Sequence, residues 1–328
     1  MRKLLLSLLG VLVLLGVAVT YVVSARGGGP ADNARPVIAG QPMTLAPGTL
    51  YFRNLAAGPE YGKVAAVSAG ASADAPRKVG SLQCDRFATA RGTGICLRTK
   101  PGSLPPVSEM LVLGADLQVR HRETLPGTPS RARVSPDGRI VSWTLFVSGD
   151  SYAATGFSTR SGLYEVATGR LVKSVEELPV FVDGRRYFAA DANYWGITFG
   201  ADGNRFYVTL GSKGKTHLIE ADYRNYRGTA ILENAECPSL SPDGRRVAFK
   251  QKNADGSWRL AVLDLASRRV THPAEGRHVD DQPLWRGNTT LLYSLRRDDN
   301  ASDIWSTPIT PTGTPSLVVP DAASPAVS

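Results

Sequence analysis

The stretch GRHVDDQPLW, Gly276 to Trp285, is the constellation to single out for chemistry. Arg277, His278, Asp280 and Asp281 place a cation, an imidazole and two carboxylates within a few residues. Glu236 in ENAECPSL, and Asp191 with Tyr194 in AADANYWG, sit in similar contexts ahead of apolar runs. Acidic groups converging from several loops would suit Ca²⁺, a hard ion that takes several oxygen ligands. The same carboxylates serve equally well as acceptors for loop amides. Acid–base catalysis would need a defined separation and one raised pKa. The chain has no G-x-S-x-G elbow, no H-E-x-x-H and no Gly-rich loop leading into Lys-Ser/Thr. Its four histidines are His121, His217, His272 and His278. These residues point to holding a polar ligand, a cation or a peptide, with no catalytic residue and no cofactor expected beyond Ca²⁺.

The elements that must position these residues are repeated ones. LSPDGRRVAFKQ from Leu240, VSPDGRIVSWTL from Val134 and FGADGNRFYVTL from Phe199 share one design. Pro242 presets φ for a tight turn, Asp243 follows it, and Gly244 takes the left-handed position. The runs that follow are strand formers, apolar on both faces, which suits strands covered on both sides. LYEVATGRLV from Leu163 and LAVLDLASRRV from Leu260 supply a third strand and the start of a fourth. HLIEAD and DIWSTPI fit third strands of two more units, and Gly287-Asn288 replaces the Asp-Gly turn in the last. Four-stranded units of roughly 40–45 residues indicate propeller blades. One unit is longer by about 20 residues, which places an insertion in VSGDSYAATGFSTRS or PVFVDGRRYFAADANYWG. Residues 50–319 hold six blades. In a propeller the connection carrying Arg277 to Asp281 faces one mouth of the central channel. The first blade lacks an innermost strand before Leu50. DAASPAV near the C-terminus resembles DDQPLW, so the chain's end is expected to supply that strand and latch the ring.

Residues 1–25 read as a membrane anchor or a signal peptide. Leu4 to Val23 is uncharged and long enough to span a hydrocarbon core. Arg2 and Lys3 keep the N-terminus cytoplasmic and send the propeller outward. Val23-Ser24-Ala25 would also suit cleavage, which would leave a secreted protein. Residues 26–47, rich in Gly, Ala and Pro, read as a flexible tether, and residues 48–328 as the propeller. Cys84 and Cys96 flank one hairpin; outside the cytoplasm they can pair, though across a bulged turn they need not meet. Cys237 reads as a buried small hydrophobe. The net charge of +9, from 38 basic and 29 acidic residues, is spread without a basic run. No nucleic-acid module is present.

The repeats, with YFRN, the Cys84 and Cys96 motifs, ENAECPSLSPDG, VDDQ and VPDAASPAV, resemble TolB-type six-bladed propellers. The finer pattern is similar to exported actinobacterial TolB-like translocation proteins and covers roughly residues 48–327. The resemblance implies an all-β propeller in the cell envelope. TolB itself places an α/β domain before a propeller that binds a peptidoglycan-associated lipoprotein. Here only the tether lies between the apolar segment and the first blade, so the resemblance concerns the fold. Two functions follow as expectations. One is a monomeric, non-enzymatic scaffold, tethered through its N-terminal helix, binding an envelope protein, peptide or glycan. The alternative is an exported hydrolase or lyase acting on envelope sugar or peptide.

Overall fold

The computed structural model describes residues 37–40, 42–147, 158–299 and 301–328. The candidate membrane segment, residues 4–23, lies outside the described residues, as do residues 148–157 of one candidate insertion. Among the described residues no helix is long and apolar enough to cross a membrane.

The described chain is all-β, arranged as six sheets around an axis, each built on four antiparallel strands: a six-bladed propeller. The innermost strands of blades 2 to 6 are Arg86–Ala90, Thr128–Val134, Asn193–Phe199, Glu236–Leu240 and Leu284–Arg286. Blade 1 takes its innermost strand from the far end of the chain: Ala322–Val327 pairs antiparallel with Thr49–Asn54. The Pro-Asp-Gly turns join innermost to second strands at one end of the ring. In blade 5 the Gly244 amide donates to Ser241 O, and Ser241 Oγ bonds both Asp243 and the Arg246 amide. Gly244 holds φ at +69°, where a side chain would strain the backbone.

Apolarity on both strand faces has a direct structural cause, because each seam between neighbouring blades has its own apolar cluster. Tyr51, Val64 and Phe87 fill the seam of blades 1 and 2, while Leu50, Phe52, Leu292 and Ile304 fill that of blades 6 and 1. Stacked blades therefore bury both faces of every sheet.

Blade 4 carries an added outer hairpin, Val180–Val182 with Arg185–Tyr187, whose first strand runs parallel to Arg227–Glu233. This is the second of the two segments considered for an insertion. The end of the segment expected as tether is packed onto the ring. Val37–Ala39 pairs with Arg77–Gln83, Met43 and Leu45 are buried, and Tyr51 Oη donates to Thr44 O. Cys84 and Cys96 are joined by a disulfide with Cα atoms 5.5 Å apart.

Candidate functional site at the channel mouth

Each innermost strand starts at the end of the ring opposite the Pro-Asp-Gly turns, so the loops entering these strands surround one mouth. Bulges interrupt the innermost strands of blades 1, 3, 4 and 5 near Ser324, Ser130, Gly196 and Cys237. A bulge frees a backbone group from the ladder and re-aims it, and here the freed carbonyls are used. Ser130 O accepts from Arg86 Nε at 2.6 Å and from Arg131 at 2.9 Å. Gln282 Nε2 reaches Pro238 O at 2.7 Å and Ile197 O at 3.3 Å, and Arg133 reaches Pro283 O at 2.7 Å. These bonds tie blades 2 to 6 together across the axis. At Gly196 the strands of blades 4 and 5 run so close that an added Cβ would lie 2.7 Å from Cys237 Cα.

The centre of the mouth is Lys250, from the second strand of blade 5. Its side chain is only 5% exposed, bonded to Asp280 and 3.8 Å from Glu236. Its ammonium also lies 4.3 Å from the centroid of the Trp258 ring, a cation–π contact. His278 Nδ1 accepts the Trp258 amide at 3.1 Å, so the neutral ring carries its proton on Nε2. The structure thus brings Glu236 and Asp280 together around a lysine, with His278 held on the backbone of the neighbouring Trp258. The Lys250 ammonium lies between the two carboxylates. Among the described residues no group of three or more His, Cys, Asp or Glu side chains converges as a metal site.

The remaining sequence candidates are placed differently. Asp281 faces the channel and accepts the Ser294 amide. Asp191 accepts from Ser212 Oγ and the Lys213 amide, and these bonds hold its carboxyl below the ordinary range. Both act as acceptors for local donors. Arg277 turns away from the axis, making a bidentate pair with Glu275 and stacking 3.9 Å over Trp305. Tyr194 is buried in the seam of blades 3 and 4, where burial pushes its phenol pKa up. Sequence reasoning did not single out Lys250, Trp258, Arg86, Arg131 or Arg133. The readable signal for the last two was the Arg-x-Arg alternation around buried Ala132, which puts both arginines on one face of an innermost strand.

Glu236 carries a pH-dependent prediction. Burial raises its pKa from 4.5 to about 6, aided by Asp280 and opposed by Lys250. The folded protein therefore holds this proton more tightly than the unfolded chain does. The resulting stabilisation is full below the unfolded pKa and lost as pH rises through 6. Glu236→Gln should leave stability unchanged near pH 4 and raise it by about 1–2 kcal/mol at pH 7.5. Denaturant titrations at both pH values check this; equal stability of both proteins at pH 7.5 would refute it.

The mouth is also bordered by apolar groups. Tyr61 and Leu104 lie in hairpins between second and third strands of blades 1 and 2, which point to the mouth end. Phe146 ends a second strand at the same side, and Phe188 precedes the innermost strand of blade 4. Their exposures are 53%, 95%, 42% and 73%. A roomier cleft of about 300 Å³ lies on the outer strands of blade 4, where Arg205 pairs with Asp202 and Glu220.

Comparison of the fold with solved structures places it. TolB from Acinetobacter baumannii matches with a TM-score of 0.59 at 16% identity, over 85% of this chain and 66% of that one. A putative TolB from Agrobacterium tumefaciens matches at 0.51 and 11%, over 82% of this chain and 87% of that one. The fold is a TolB-like propeller. The chain spans just under two thirds of the length of the Acinetobacter TolB. A puromycin-hydrolyzing peptidase from Mycobacterium tuberculosis also matches, at 0.50 and 15%, over 86% of this chain and 45% of that one. No protein-family model matches the sequence, and a search of curated proteins gave no match. At these identities the likeness concerns architecture. In this TolB-like propeller the mouth chemistry must be argued from its own residues.

Proposed function

We propose that this TolB-like propeller is a non-enzymatic docking scaffold of the cell envelope, held at the membrane by its N-terminal segment with the ring outside the cytoplasm. The partner is an envelope protein or peptide seated on the mouth face. The observation that carries this is the set of exposed Tyr61, Leu104, Phe146 and Phe188 at that one end. Exposed apolar groups rimming a polar centre are what a protein-binding face requires. At the centre, Glu236 and Asp280 are committed to Lys250, while Asp191 and Asp281 are committed to local donors. Such groups recognise a partner without needing to exchange protons with it. The peptidase likeness favours a catalytic alternative only at the level of fold, since it covers less than half of that enzyme.

In-cell crosslinking with mass spectrometry on the membrane fraction tests the proposal. Leu104→Asp with Phe188→Asp changes only exposed positions, so the melting temperature should hold. One partner crosslinked to the wild type and lost from this variant is the expected result. An identical crosslink pattern from both proteins would remove the mouth face as the docking site.

A further inference from the structure

The axis below the mouth holds a charge arrangement that docking does not use. A cavity of about 20 Å³ lies there, lined by Arg86, Arg131, Arg133, Asp281, Gln282 and Ser324 among others. Three guanidiniums thus line it beside one carboxylate, Asp281, which accepts the Ser294 amide, while Asp280 also acts on Arg131, whose pKa is raised. The carbonyls that Arg86 and Arg133 bond to are neutral, so Asp281 and, for Arg86, Asp85 are the carboxylates that offset their charge. Burial, with repulsion from Arg131, brings both arginines down to about 10, so they stay cationic at neutral pH. One buried donor atom among the lining residues, Arg131 Nε, also lacks a partner. Buried polar atoms of this kind are normally satisfied. A water would meet the orphan donor but would not offset the surplus of positive charge. The space is small and best suits a particle little larger than a water molecule.

We infer that the axial cavity is a built site for a monatomic anion of chloride size, held by Arg131 with Arg86 and Arg133. This inference is independent of the docking reading. The ion is a structural ligand, joining cations carried by blades 2 and 3 at a cavity that blades 1 and 6 also line.

Thermal unfolding of the full chain in detergent tests it, with sodium chloride compared against sodium gluconate at equal ionic strength. Gluconate carries the same charge but exceeds the cavity. A ligand that binds only the folded state raises the midpoint, here by roughly 3–8 °C in chloride. Arg131→Gln should melt at one temperature in both salts, whatever its own stability. Equal midpoints for the wild type, or the full difference retained in Arg131→Gln, would overturn the inference. Should Arg131→Gln not fold, bromide soaked into wild-type crystals decides. An anomalous peak in the cavity supports the site, and its absence overturns it.

Discussion

Deletion of residues 320–328 is expected to abolish the cooperative unfolding transition at ambient temperature. The lost strand supplies the innermost ladder of blade 1, and Ala322, Ala323 and Ala326 are buried in it. Arg77, 1% exposed, donates to Pro320 O at 2.8 Å, Asp321 O at 3.1 Å and Asn54 Oδ1 at 2.6 Å. Ser324 Oγ accepts the Phe87 amide and donates to Phe87 O on one side, and the Ser324 amide donates to Ser294 Oγ on the other. Each ladder bond contributes about 1 kcal/mol, and each hydrogen bond from a buried charged group about 1.5–3 kcal/mol. The total exceeds about 5 kcal/mol, comparable to the whole stability of many domains. Scanning calorimetry reads the result directly. An unchanged melting temperature in the truncated protein would show that the ring does not depend on this strand.

Lys250→Met should be the most damaging single change at the mouth, at about 3–5 kcal/mol near pH 7.5. Methionine conserves most of the volume, so the loss is electrostatic. The buried Glu236 carboxylate would lose the cation 3.8 Å away and would face Asp280 unshielded. The effect has a pH signature. Glu236 already titrates near 6, and without Lys250 it would titrate higher, so the damage should shrink as pH falls toward 5 and Glu236 takes up its proton. Adding Glu236→Gln to Lys250→Met should recover much of the stability at pH 7.5. Chemical denaturation of the four proteins of this cycle gives the coupling. A pH-independent loss, or no recovery in the double variant, would mean that Lys250 matters by packing alone.

The ring was legible in the sequence because its signals are local. A Pro-Asp-Gly turn followed by a doubly apolar run defines a hairpin, and its recurrence counts the blades. The mouth was legible only in part, because a loop's position in the ring does not say where each side chain turns. Asp280 and Glu236 met a lysine that sits inside AFKQK, where alternation gives no hint that Lys250 is buried under Trp258. Arg277 carries the same charge signal as a channel residue, yet its bidentate fit to buried Glu275 draws it to the seam of blades 5 and 6. Tyr194 follows from the same limit: its neighbour Trp195 is the residue that reaches Glu236, one step along the strand and on the other face. The axial arginines were hidden because residues from distant blades face one another only once six sheets close into a circle.

That closure also sets an order of events during synthesis. Arg77 and the Asp321 carbonyl it anchors are 244 residues apart. At ordinary elongation rates, on the order of 10–50 s separate their appearance. Throughout that interval Leu50, Tyr51 and Phe52 stand on a sheet edge with no neighbour, the kind of edge that recruits foreign strands. Blade 1 is thus the first blade made and the last completed. The nascent chain has its greatest need of a protective companion at its oldest end.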